Sequence, residues 1–169
     1  MSYQEKRTIV SIITGLFILV AYGIYAFEKY QSGVIAADDI KAWAGIMLVF
    51  IGIGVVLAIV IQIVFHILLS ITIAIQERAR TGRCGDDKEI EKTISAKMVT
   101  DEMDKLIELK SMRVSFIIAG IGFVTALVTQ LFNYPPAVLL NVLFISFSAG
   151  SLLEGLAQIY FYRRGIKNG

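Results

Sequence analysis

Four long runs without charged residues constrain this chain more than any other feature. Residues 8–27, 42–76 and 114–134 carry no Asp, Glu, Lys or Arg, and in residues 137–162 only Glu154 does. A helix that crosses the roughly 30 Å hydrocarbon core of a bilayer needs about 20 apolar residues. No run alternates apolar and polar residues as the strands of a membrane barrel do. The sequence therefore predicts an all-α integral membrane protein, with these runs as four transmembrane helices of a single domain, residues 1–169.

Composition narrows the classes of function. Hydrophobic residues make up 56% of the chain and charged residues only 18%, and the mean hydropathy is +0.72. A net charge of +2 without a basic stripe gives no reason to expect nucleic acid as a partner. The single cysteine, Cys84, excludes an internal disulfide and any multi-cysteine metal site. No nucleophile–base pair and no metal or phosphate motif is present, so neither an enzyme nor a cofactor is expected.

The distribution of Lys and Arg predicts the orientation in a cell membrane. Of the 16 basic residues, 14 lie in the N-terminal segment, in residues 77–113 and after Tyr162, whereas only Lys29 and Lys41 lie on the other side. Basic residues concentrate in cytoplasmic segments. Both termini and residues 77–113 are therefore expected in the cytoplasm. The first run is longer than the apolar core of a signal peptide and is expected to be retained as an anchor.

The second run is too long for a bilayer. Its 35 residues would measure about 52 Å as a helix, and Asp38 and Asp39 are suited to cap its start. We expect the helix to continue to about Arg80 and to project from the membrane.

Residues 77–113 are predicted to form a cytoplasmic helical hairpin. Glycines at 82 and 85 indicate a break, and an apolar pattern at Ile90, Ile94 and Met98 follows. Thr100 and Asp101 are suited to cap a helix that continues through Arg113 into the third span. This hairpin either covers the projecting end of the second helix or docks a cytoplasmic protein.

Two further patterns concern helix packing. Small residues share one face of the third span, namely Ser115, Ala119, Gly122 and Ala126, and such faces permit close helix approach. Residues 52–62 and 120–130 are identical at seven of eleven positions. The match is interpreted as similar packing or chance, with an inverted repeat as the alternative.

Polar side chains inside the second and fourth spans form a predicted intramembrane cluster. Its members are Glu154, His66, Gln62, Gln158 and Ser151. Ionisable groups inside a membrane face the bundle and find partners, so Glu154 is expected to accept a hydrogen bond from His66 or Gln62. The cluster either locks two helices together, within one chain or across a homodimer, or provides a proton or cation site.

These features leave two functions open. One is an accessory, regulatory or signalling subunit that acts through its cytoplasmic hairpin. The other is a small proton- or cation-coupled transporter that uses an intramembrane site at Glu154 and His66. Besides the lipid bilayer, the expected partners are a second copy of the chain and a cytoplasmic protein bound at residues 77–113.

Overall fold

The structure, a computed structural model, describes residues 3–81 and 102–165. These residues form four α-helices: α1 (Tyr3–Gln31), α2 (Ile40–Thr81), α3 (Glu102–Leu131) and α4 (Pro136–Arg164). No strand occurs in the two described ranges, which confirms the all-α prediction. The predicted break after Thr81 and the pattern at Ile90, Ile94 and Met98 lie outside the described residues.

The helix bounds agree with the predicted spans and extend them. α2 is one uninterrupted helix of 42 residues, or about 63 Å, and it includes the expected Arg80 and reaches Thr81, the last described residue before residue 102. α3 is described from Glu102 and passes through Arg113 without a break, and the predicted cap at Thr100 and Asp101 lies outside the described residues. Residues 77–81 and 102–113 of the predicted hairpin are therefore continuous with the second and third spans.

Local chemistry explains where α2 and α4 begin. The backbone N–H of Ala42 donates to the Asp39 carboxylate at 2.9 Å, so Asp39 caps α2. Pro136 is the first residue of α4, a position where a missing N–H costs nothing. Asn133 supplies the turn before α4 with a positive φ of 57°. A hydrogen bond of 3.2 Å from the Ala137 N–H to the Ala37 carbonyl joins the first turn of α4 to the connection between α1 and α2.

We call the end of the bundle that carries these connections, residues 32–39 and 132–135, the turn end, and the opposite end the terminal end. At the turn end the helices share one apolar core. Its buried members are Tyr22, Ala26, Ile35, Trp43, Met47 and Ala137. The ring of Tyr22 packs on Phe50 of α2 and on Phe144 of α4, with centroid distances of 5.4 and 4.2 Å. This half of the bundle is therefore filled by side chains.

The helix α4 packs against each of the other three helices. Gly150 of α4 faces Ser115 of α3, and Gly155 of α4 faces Ile12 and Thr8 of α1. Gly122 and Ala126, from the small-residue face of α3, are buried. These contacts place α4 between α1 and α3.

Most of the outer surface of the four helices is apolar. Phe17, Phe116 and Leu131, for example, are 70%, 72% and 81% exposed. In α2 the described side chains between residues 48 and 75 are all exposed or half-buried. Patches of this size on a water-soluble protein would promote association. All four helices are long and apolar enough to cross a membrane, and the structure is compatible with a multi-pass membrane protein.

Candidate functional site

A polar cavity lies at the terminal end of the bundle, between α1, α3 and α4. Its volume is about 240 Å³. We call it the terminal cavity and define it by its lining: Gln4, Arg7, Thr8, Ser11 and Ile12 from α1; Asp104 and Glu108 from α3; and Ser151, Leu152, Glu154, Gly155, Gln158 and Tyr162 from α4. The bundle thus has an apolar core at one end and a polar space at the other.

The α1 wall of the cavity is held close to α4 by a glycine and a hydrogen bond. A Cβ at position 155 would lie 2.6 Å from Cγ1 of Ile12, so only glycine permits this approach without a shift. The Thr8 hydroxyl lies 3.0 Å from Oε1 of Gln158 and 2.9 Å from the Gln4 carbonyl, so its single proton is shared between these two acceptors. Gln158 therefore serves as a link between helices as well as a lining residue.

An ion pair joins the start of α1 to the end of α4. Nε of Arg163 donates to the Glu5 carboxylate at 2.9 Å. The Glu5 side chain is 8% exposed and that of Arg163 is 64% exposed. Water screens such a pair, so its contribution to stability is small, but it fixes the start of α1 beside the end of α4.

The α3 wall is antiparallel to α4, and its register is set by two contacts. Ser115 lies against Gly150, and the side chains of Asp104 and Tyr162 are joined by a hydrogen bond. A residue of α3 and a residue of α4 therefore lie at the same level when their residue numbers add up to about 266. This register places Glu108 one turn deeper than Asp104, and Glu154 about 12 Å deeper than Tyr162, because eight residues of helix separate them.

Three carboxylates consequently line the terminal cavity at successive depths. Asp104 is nearest the terminal end, Glu108 follows, and Glu154 is the deepest. Among the described lining residues Arg7 is the one basic side chain, so these residues together have a formal charge of −2. Within the described residues no group of three His, Cys, Asp or Glu side chains is arranged to hold a metal ion. The cavity therefore favours cations over anions without the geometry of a metal centre.

The structure brings together three of the five predicted cluster residues. Ser151, Glu154 and Gln158 all line the terminal cavity. Gln62, which is exposed, and His66, which is half-buried, belong to α2 and are not part of this lining. The expected hydrogen bond from His66 or Gln62 to Glu154 is not formed. The half-buried Glu154 side chain has no hydrogen-bond or ion-pair partner in the described ranges.

Sequence reasoning missed the contribution of α1 and α3. The sequence placed Asp104 and Glu108 only in the predicted hairpin of residues 77–113, and it gave Arg7, Thr8 and Tyr162 no role in a site. A signal for the α3 acids was present, since Asp104, Glu108 and Ser111 recur at helical spacing and lie on one face. No signal identified α4 rather than α2 as the neighbour of that face.

No known family model, curated protein sequence or solved structure matches this chain.

Proposed function

We propose that the chain is a multi-pass cell-membrane protein that acts as an accessory, regulatory or signalling subunit. It has no enzymatic activity of its own, and its action runs through the segment that joins α2 to α3. Both termini and this segment lie in the cytoplasm, an orientation supported by the 14 of 16 basic residues on that side.

The observation that carries the proposal is the length of α2. An uninterrupted helix of about 63 Å is twice the thickness of a bilayer core. Its contacts with α1 involve Trp43, Phe50 and Gly54, in the half near the turn end. α2 packs against its neighbour near the turn end and is continuous to its far end, where the joining segment begins. A change in the tilt of α2 is therefore transmitted to that far end.

The start of α3 supplies a surface on the same side. Residues 102–113 are helical and charged, yet Met103, Leu106, Leu109 and Met112 among them are exposed. Exposed apolar side chains next to charged ones are typical of surfaces that bind other proteins. We therefore expect a cytoplasmic protein to bind there.

The test uses the full chain, tagged at Gly169 and purified from membranes of its native host. A soluble protein should co-purify in a fixed ratio, and Leu109→Asp should abolish its recovery because the charge disrupts an apolar contact. Lys41→Glu, at the opposite end, is the matched control and should retain it. Recovery that is the same for both variants, or no partner in a fixed ratio, would refute the proposal.

A second candidate, a proton- or cation-coupled transporter, is favoured by the terminal cavity. An acid without a protein partner inside an apolar helix is a functional feature by default in membrane proteins. In this version Glu154, Ser151 and Gln158 form the site without His66. Transport would require the turn-end core around Tyr22 to open. In proteoliposomes Glu154→Gln should abolish cation-driven proton flux, and a wild-type protein that produces no flux would exclude this candidate.

A further inference from the structure

The terminal cavity holds features that the regulatory function does not use. Its volume of about 240 Å³ is far more than the roughly 10 to 15 Å³ that a single water requires. Its deepest acid, Glu154, has no partner among the described residues. A carboxylate at this depth must be protonated, hydrated or paired with a cation, since an isolated charge in a membrane is costly.

The charge of the lining indicates the sign of a ligand. In the described part of the lining three carboxylates face one guanidinium, so a cation is attracted and an anion is repelled. A divalent metal ion is disfavoured because Mg²⁺ demands a near-ideal octahedron of oxygen ligands, and no metal-holding group occurs in the described ranges. The cavity is also much larger than a bare ion needs.

The neutral lining residues indicate the kind of cation. Ser11 and Ser151 add hydroxyl oxygens to the lining that Glu154 shares, while Ile12 and Leu152 offer apolar surface. A primary ammonium group carries three hydrogen-bond donors and no acceptor, so it suits a carboxylate flanked by hydroxyls. An alkyl chain attached to it suits the apolar part of the lining.

We propose that the terminal cavity binds an alkylammonium group, with Glu154 as the principal ligand and Asp104 and Glu108 guiding it from the terminal end. The group belongs either to a free alkylamine or to the ethanolamine headgroup of a phospholipid. This inference does not depend on a partner at residues 102–113. If the protein is a cation-coupled transporter, this inference identifies the class of cation that it binds.

The first arm of the test measures putrescine binding by calorimetry, with the full chain in nanodiscs made of phosphatidylglycerol alone. The second arm measures, by native mass spectrometry, how many phosphatidylethanolamine molecules remain bound after purification from a mixed membrane. Glu154→Gln should weaken the interaction at least about tenfold, because a bond to a charged acceptor is replaced by one to a neutral amide.

Two further variants keep the test decisive. Glu108→Gln changes an exposed side chain of the lining, so it should fold even if Glu154→Gln does not, and it should weaken binding a few-fold. Glu28→Gln removes an exposed acid near the turn end and should change nothing.

Putrescine binding identifies a free amine, and selective retention of phosphatidylethanolamine identifies a lipid. Failure of both arms, or losses equal to those in Glu28→Gln, would overturn the proposal. Binding without proton flux would refute transport alone.

Discussion

At the residue scale, Gly155 decides how close α1 and α4 can lie. We predict that Gly155→Ala lowers the free energy of unfolding, because the new Cβ would fall 2.6 Å from Cγ1 of Ile12. Overpacking of this kind costs about 1 to 3 kcal/mol. Chemical denaturation in detergent measures this change in the free energy of unfolding.

The control for this prediction is Gly23→Ala in the same helix bundle. No atom lies within 4 Å of a Cβ at Gly23, so that variant shows the effect of alanine without the clash. The double variant Gly155→Ala with Ile12→Ala should recover part of the loss because it vacates the space. Equal stabilities of the Gly155 and Gly23 variants would show that α1 has room to move.

The hydroxyl group of the buried residue Tyr22 links α1 to α4. Its hydroxyl donates to Oδ1 of Asn141 at 2.7 Å, and the residue is 2% exposed. Tyr22→Phe should destabilise the protein by about 1 kcal/mol, the scale of hydrogen bonds between membrane helices. Tyr25→Phe, in which the lost hydroxyl has no bond in the described residues, should be neutral in the same thermal unfolding assay. A loss that persists in the background of Asn141→Leu would place the effect outside this bond.

At the element scale, the start of α2 depends on a single carboxylate. Asp39→Ala removes the acceptor for the Ala42 N–H, and the loss should be about 1 kcal/mol of unfolding free energy. Asp38→Ala removes the neighbouring acid, whose side chain makes no such bond in the described residues, and should cost less. Asp39→Asn should preserve most of the stability because an amide oxygen also caps. Equal losses at positions 38 and 39 would mean that charge, rather than the cap, matters here.

The number and bounds of the helices followed from the sequence, whereas the neighbours of each helix did not. Charge-free runs and the acids at Asp38 and Asp39 were sufficient to predict that α2 begins near residue 40 and continues as far as Arg80. Helix neighbours are specified by which face is buried, and in an apolar span the core face and the lipid face have similar compositions. Glu154 was therefore recognised as an unusual residue, but its neighbours on α1 and α3 in the terminal cavity were not predicted.

At the scale of the whole molecule, the distribution of basic residues predicts an orientation that reporter fusions can measure. Phosphatase fused at Gly33 or Pro136 should be active, since both positions are expected outside the cell. A fluorescent protein fused at Gly169 or Cys84 should fluoresce, since these positions are expected in the cytoplasm. Phosphatase activity at Gly169 would contradict the orientation and, with it, the cytoplasmic partner.

The central place of α4 has a consequence for biosynthesis. The ribosome makes α4 after the other three helices, yet α4 is the neighbour that all three share. Until it is inserted, Thr8 lacks its acceptor on Gln158, and Ser115 lacks the backbone that packs against it. A nascent chain that stops before Pro136 thus leaves α1 and α3 without the surface that holds them, so the membrane's quality-control proteases should recognise truncated products as unassembled.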